Sequence, residues 1–203
     1  MFNRGFMLSG VILISLLVSG GCTSVAPSYP APVTPAPDIS LSHTTSSPVP
    51  PGTFMLNVDS LAPGSALPEI YSCKGAGESP AVSWDGIPAG TKSLVLILED
   101  PDAPSGTFTH WLVYNIPIDA RNIPAGQTAQ KVLSSGAQQG DTSAGSRGYY
   151  PPCPPVGTTH RYIFRLYAVD MDITQPTANR DSIDWALQGH TLAKTEFFTT
   201  LKR

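Results

Sequence analysis

Two separate segments of the chain contain the side chains best suited to acid–base chemistry or to ligand binding. The first runs from Asp100 to Pro104, with His110 close behind it. The second runs from Gly148 to Pro155 and is followed by His160-Arg161-Tyr162. Proline fixes the backbone angle φ and removes an N–H donor, so proline-rich turns hold their neighbours in place without sheet pairing. Each segment thus joins a rigid turn to groups that exchange protons.

Asp100 follows an apolar run, Leu94 to Leu98, and stands directly before Pro101. A residue before proline is pushed toward extended backbone, which places Asp100 at the end of a strand. Carboxylates at strand ends beside rigid turns suit binding sites, so we predict that Asp100 belongs to one. For Asp102 we favour a turn-stabilising role, in which its side chain bonds to the nearby backbone.

His110 and His160 each stand at the start of an apolar segment of strand type. If the two strand starts meet the end of the strand before Asp100, the carboxylate would fix an imidazole tautomer and favour its charged form. The imidazole N–H groups would then hold a phosphate-type anion. The alternative is that each histidine merely caps its own strand, but the recurrence favours a site.

Further groups near these histidines shape the predicted pocket. Tyr149 or Tyr162 would add a phenolic donor, and the run from Pro151 to Pro155 would form a wall with one N–H group. Arg161 alternates with its neighbours along the strand and is predicted to face away. Because no Lys or Arg clearly joins the site, it would bind anions weakly or prefer a zwitterion whose amine meets Asp100.

Composition excludes several classes of protein. The 203 residues carry a formal charge of −3, whereas nucleic-acid-binding proteins normally show a basic stripe. A metal centre built from Asp100, His110 and His160 would lack any recognised ligand spacing. We therefore predict no nucleic-acid partner, no metal and no cofactor.

Residues 1–22 have the pattern of an export signal. Arg4 precedes an apolar run from Met7 to Val18, which is short for a membrane-spanning helix, and small residues lead to Cys22. This pattern predicts lipidation of Cys22 and an exported protein anchored in the cell envelope. Ser19 departs from the usual lipoprotein box, so an ordinary signal peptide or an uncleaved anchor is the alternative.

Residues 23–52 form a predicted disordered linker, and residues 53–203 form the folded domain. The linker holds eight prolines and ten serines or threonines, with no Lys or Arg. Such a composition buries too little apolar surface to fold and favours extended, semi-rigid chain. A spacer of this kind would hold the domain away from a membrane.

Two cysteines remain in the domain, Cys73 and Cys153. Export would permit a disulfide between them. The alternative is two buried thiols that never meet, because sequence does not show whether their Cα atoms come within bridging distance.

The domain reads as mainly β, with two packed sheets and few helices. One helix is predicted around Ile183, Ala186, Leu187 and His190, with Asp181 or Ser182 as its N-cap. Residues 136–148 are predicted to be a mobile loop. Alternating or continuous apolar residues predict strands at 53–59, 81–84, 94–98, 111–116, 162–169 and 197–201.

The domain resembles the phosphatidylethanolamine-binding protein family, which includes the Raf kinase inhibitor proteins, and most closely its bacterial and archaeal YbhB/YbcL-like branch. The resemblance covers about Thr53 to Arg203. It rests on Cys73-Lys74-Gly75, Ser79 to Trp84, Asp100 to Pro104, Thr109-His110-Trp111, Tyr114 to Pro117, Gly148 to Pro155, His160-Arg161-Tyr162 and Gly189-His190.

The resemblance implies a β-sandwich with a small anion pocket for phosphate or a phosphoethanolamine head group. Carried over to this chain, the pocket residues are Asp100, His110, Pro154 or Pro155, His160 and Tyr162. Pro151 replaces the family's usual glycine, so the rim of the pocket is expected to differ. The resemblance also implies a second function, inhibition of a partner protein such as a kinase or protease. A hydrolase is a third reading, but no Ser or Cys stands in an activating motif.

Overall fold

The computed structural model describes residues 52–174 and 178–203. Its strands are β1 (Met55–Val58), β2 (Val82–Asp85), β3 (Ser93–Asp100), β4 (Phe108–Pro117), β5 (Asn122–Ile123), β6 (Gln138–Gln139), β7 (Thr159–Val169) and β8 (Thr191–Lys202). The described residues contain one α-helix, α1 (Arg180–Leu187), and one short 3-10 turn (Glu69–Tyr71). The predicted export signal, the predicted lipidation site Cys22 and the predicted linker up to residue 51 lie outside the described residues.

The strands form two antiparallel sheets, which confirms the mainly β fold. The smaller sheet has the order β1-β2-β5, and the larger has the order β6-β4-β3-β7-β8. Strand β3 is central in the larger sheet and antiparallel to both β4 and β7. The end of β3 therefore lies beside the starts of β4 and β7, at one edge of the sheet.

Strand β3 is buried along its entire length. Its continuous apolar run predicts burial on both faces, and the structure shows how each face is covered. Leu94, Leu96 and Leu98 join the core between the sheets, together with Trp84 and Trp111. Alternate residues of β3 face a second core, which lies under the helix.

The second core forms between the larger sheet and α1. Val95 and Ile97 of β3 pack there with Ile183, Ala186 and Leu187 of the helix. The helical spacing of these three residues gives α1 one apolar face. Packing against the sheet therefore stabilises this helix, which is too short to be stable by itself.

The N-cap of the helix lies two to three residues before the predicted caps. Asn179 is the N-cap, and its side chain accepts a hydrogen bond from the Ser182 amide in a capping box. Asp181 and Ser182 therefore lie inside the first turn, and the predicted caps are wrong. His190 also lies beyond the helix and pairs with Asp170 through a 2.8 Å contact.

Other departures from the predicted strands are local. Strands β5 and β6 have two residues each, too few for a periodic signal. Strand β8 starts at Thr191, earlier than predicted. The sequence did not reveal its first half because those residues are mostly exposed and polar. The predicted loop at 136–148 contains β6 and an isolated bridge between Asp141 and Arg147. No helix among the described residues is long and apolar enough to cross a membrane.

Candidate functional site

Three titratable side chains occupy the strand ends that meet at one edge of the larger sheet. Asp100 is the last residue of β3, His160 is the second residue of β7, and His110 is the third residue of β4. All three are at least 94% buried. The antiparallel order of these strands brings them together although they are distant in the chain.

Asp100 and His160 form a buried pair. His160 Nδ1 lies 2.7 Å from Asp100 Oδ2. An ionised carboxylate can only accept, so Nδ1–H donates and the other ring nitrogen, Nε2, remains for another partner. The second oxygen, Asp100 Oδ1, accepts from the Asp102 amide at 2.9 Å. The carboxylate is thereby fixed both to the neighbouring strand and to the proline turn.

The turn-stabilising bond predicted for Asp102 is made by Asp100 instead. The Asp102 carboxylate accepts from the Arg161 backbone amide at 2.9 Å and from its guanidinium at 2.9 and 2.6 Å. Hydrogen bonding to the Arg161 side chain and then to its amide lowers the pKa of Asp102 to about 2. Asp102 and Arg161 thus fasten the turn to β7 from outside the buried pair.

His110 is oriented by the backbone of the second segment. Its Nδ1 lies 2.8 Å from the Tyr150 carbonyl, which can only accept, so Nδ1 carries a proton. The Tyr150 amide donates in return to the His110 carbonyl at 2.8 Å. Burial lowers the pKa of His110, although the Tyr150 carbonyl and the Asp100 charge oppose this effect. Nε2 is again the nitrogen available to a ligand.

A cavity of about 410 Å³ lies against these three side chains. Pro154 and Pro155 form part of its wall beside Cys153. Five further residues line the cavity. Ala103, Pro104 and Tyr150 belong to the two segments that the sequence points to, whereas Phe108 and Ala144 were not predicted.

Tyr162 has a different place from the other predicted ligand residues. It is fully buried and does not line the cavity, but its ring meets His110 edge-on, with centroids 5.4 Å apart. Burial, together with the negative charge of Asp100, raises the pKa of its phenol. The other candidate phenol, Tyr149, donates to the Tyr71 carbonyl at 2.6 Å. Tyr162 therefore supports His110 from behind.

The two cysteines of the domain are joined in a disulfide. The Cys73–Cys153 bond has a Cα–Cα distance of 5.4 Å and closes a separation of 80 residues. The sequence left this bond and two separate thiols as alternatives. Its position is informative because Cys153 lies in the cavity wall. Among residues 52–174 and 178–203, no group of His, Cys, Asp or Glu side chains is placed to hold a metal ion.

The lowered pKa of His110 predicts a pH dependence of stability. In the unfolded chain a histidine titrates near 6.5, so between that value and its lower folded pKa the folded protein binds fewer protons. The contribution of neutral His110 to the stability of the fold is therefore present above about pH 6.5 and is lost as the pH falls below that value. We expect His110→Asn to show a smaller loss of unfolding free energy between pH 7 and pH 5 than the wild type. Urea denaturation across this pH range measures it.

The matched control for this measurement is His190→Asn, since His190 is exposed and lies away from the cavity. It measures the effect of removing a histidine that does not lie in the site. Equal slopes for His110→Asn and the wild type would contradict the prediction.

Comparison with known proteins places this geometry in a family. The family model described as phosphatidylethanolamine-binding protein matches residues 57–202, which include the whole site. The chain belongs to the phosphatidylethanolamine-binding protein family. The family membership predicted from the sequence motifs is thereby confirmed.

Relatives of this family come from archaea and bacteria. A UPF0098 protein of Methanothermobacter thermautotrophicus is 42% identical over 139 residues, which are 68% of this chain and 91% of the relative. The UPF0098 protein YbhB of Escherichia coli is 42% identical over 119 residues, covering 55% of this chain and 75% of that protein. These matches confirm the YbhB/YbcL-like resemblance.

Solved structures agree with the fold. A phosphatidylethanolamine-binding protein homologue from Chlamydia trachomatis superposes with a TM-score of 0.68 at 35% identity, covering 75% of this chain and 99% of that one. Escherichia coli YbcL gives a TM-score of 0.68 at 28% identity, covering 74% of this chain and 98% of its own. The phosphatidylethanolamine-binding protein fold therefore accounts for the domain as a whole.

Proposed function

We propose that this domain binds a small phosphate-type anion, or the phosphorylated head group of a larger molecule, in the cavity beside Asp100. The observation that carries the proposal is the convergence of Asp100, His110 and His160 on one cavity. In both histidines Nδ1 is engaged by a protein acceptor, and Nε2 is left for a ligand.

The charge of the site favours a weakly held anion whose binding is linked to protons. The described residues that line the cavity include no Lys or Arg. An imidazole can then donate to the anion only when Nε2 also carries a proton, because Nδ1 already donates to the Asp100 carboxylate in His160 and to the Tyr150 carbonyl in His110. A zwitterion would bring a second group, an amine, that the same carboxylate attracts.

The size and lining of the cavity favour a substituted phosphate. Its volume falls within the range of small-molecule pockets, and apolar groups form much of the lining. Phe108 and Tyr150 lie side by side there in a tilted arrangement, with ring centroids 5.6 Å apart and planes at 43° to each other. A ligand with a phosphoryl group at the histidines and a less polar substituent beside these rings would use both parts.

Binding fits the site better than hydrolysis does. The described lining residues include no Ser, Thr or Lys, and the one cysteine is held in a disulfide. A histidine–carboxylate pair needs a nucleophile or a positioned water to act on a substrate. We therefore assign Asp100 and His160 to ligand binding and propose no catalytic residue.

We further propose that the domain works outside the cytoplasm, tethered to a membrane through lipid on Cys22. The export pattern of residues 1–22 and the proline-rich segment after them support this location. The disulfide adds independent support, because such bonds persist mainly in oxidising compartments.

A titration followed by histidine NMR tests the binding proposal. Phosphate and then phosphoethanolamine are added to the full chain while the imidazole signals are recorded. We expect His110 and His160 to shift together along one saturating curve and His190 to stay in place. Saturation by phosphoethanolamine at lower concentration would identify the substituted ligand as preferred. Shifts confined to His190, or none at all, would reject an anion site at this cavity.

A further inference from the structure

One wall of the cavity, at Cys153, Pro154 and Pro155, belongs to a stretch of backbone that pairs with no strand. It runs from Pro151 to Pro155, and its alternating burial places Pro152 and Pro154 inward. Four of its five residues are prolines, which have no N–H to donate. Sheet pairing and backbone donation, the usual means of fixing a wall, are therefore largely closed to it.

Few hydrogen bonds hold this wall among the described residues. Before it, the Tyr150 amide donates to the His110 carbonyl at 2.8 Å, and at its end Pro155 accepts from Thr158. In the middle, the Cys73 amide donates to the Pro152 carbonyl at 3.0 Å. At that same point the disulfide from Cys73 to Cys153 is the covalent tie, and the Arg203 guanidinium donates to Cys153 Sγ at 3.4 Å.

The other end of the disulfide is firmly anchored. Ser72, beside Cys73, is fully buried; its amide and hydroxyl both donate to the Glu69 carbonyl at 2.9 Å. The Gly75 amide then donates to the Ser72 carbonyl at 3.1 Å, and the Gly75 backbone packs tightly against Glu69. The bond thus joins a wall that has few hydrogen bonds to a turn that is held by several.

We propose that the Cys73–Cys153 disulfide positions the proline wall, so that its reduction weakens ligand binding without unfolding the domain. This inference rests on the proposed function of the cavity. The step is thiol–disulfide exchange with a dithiol: the protein S–S bond breaks, each cysteine sulfur gains an electron and a proton, and the dithiol closes into its own disulfide.

The fold itself has little need of the bond. Neither cysteine belongs to either hydrophobic core, which are built from the buried strands and the helix. Both cysteine residues are exposed, so a dithiol reaches them in the folded protein. Reduction therefore loosens the wall while both cores keep the strand ends in place.

Phosphate affinity of the oxidised and reduced protein tests the inference. The full chain is used with Cys22→Ser, because protein whose Cys22 carries no lipid would have a third thiol that exchanges with the pair. Dithiothreitol is expected to weaken phosphate binding about tenfold. This is the effect expected if the wall of the reduced protein adopts its binding geometry about a tenth of the time. The double variant Cys73→Ser/Cys153→Ser should bind like the reduced protein and ignore dithiothreitol. Reoxidation should restore the affinity of the unsubstituted pair.

A second readout needs no ligand and separates this inference from the proposed function. On reduction, the amides of Tyr150 and Cys73 should lose protection from hydrogen exchange, whereas amides of β3 should keep theirs. Equal exchange in both redox states, or equal phosphate affinity, would overturn the inference, and so would global unfolding on reduction. If even the oxidised protein fails to bind phosphate, the proposed function is wrong, and the exchange result still decides the role of the disulfide.

Discussion

Replacing His160 with alanine is expected to weaken phosphate binding about a hundredfold, the largest effect on binding of any single substitution in the site. The variant loses a charge-assisted hydrogen bond to the anion, worth about 1.5–3 kcal/mol. It also leaves the buried Asp100 carboxylate without its imidazole partner, facing the cavity that the anion must enter. The lost hydrogen bond and the repulsion between Asp100 and the anion both lower the affinity for phosphate. Isothermal titration with phosphate measures the change.

Two further variants separate the two causes. Adding Asp100→Asn to His160→Ala removes the stranded negative charge, so part of the lost affinity should return. His190→Ala is the matched control, because His190 has the same contact to a carboxylate, 2.8 Å from Asp170, but on the surface. Its phosphate affinity should equal that of the wild type. A double variant that binds no better than His160→Ala would show that Asp100 does not repel the anion.

The largest effect on stability is expected where Glu99 loses both of its arginine partners. Glu99 is 3% exposed and lies between Arg165, at 2.9 Å, and Arg180, which it also contacts. Replacing both arginines with methionine leaves a buried charge unpaired, which costs about 3–5 kcal/mol. Each single replacement should cost less because one arginine remains. Urea denaturation at neutral pH gives the free energies of unfolding.

A compensating substitution tests the electrostatic cause. Adding Glu99→Gln to the double variant removes the unpaired charge and should recover most of the lost stability. Lys202→Met, at the exposed end of β8, controls for the loss of a surface charge and should be near neutral. A triple variant no more stable than the double variant would show that packing of the arginine side chains, not the charge of Glu99, sets the cost.

Glu99 also shows where sequence reasoning ends. The run before it predicts a buried strand, and the following proline predicts the strand's end. Nothing local indicates that a glutamate there is buried, because its partners stand on β7 and α1, far along the chain. Long-range charge pairing has no period and no spacing that a sequence pattern could reveal.

The candidate site was predictable to the extent that its side chains mark strand ends. Asp100 and His160 stand beside proline and glycine turns that mark a strand end and a strand start. Antiparallel pairing of β3 with β7 then brings the two side chains together. The orientation of His110 was not predictable, because its partner is the Tyr150 carbonyl, and a backbone group has no residue signature. The helix cap could have been found, since asparagine three residues before serine matches a capping arrangement.

The strand order β4-β3-β7 has a consequence for how the protein is made. Asp100 meets a histidine 60 residues later, and the disulfide spans 80 residues. Contacts between such distant residues form late in folding, and a ribosome delivers β3 well before β7. The cavity thus comes into being only when most of the polypeptide has been synthesised. A ligand can therefore stabilise the folded domain by mass action. It cannot bind earlier in folding, because its site does not yet exist.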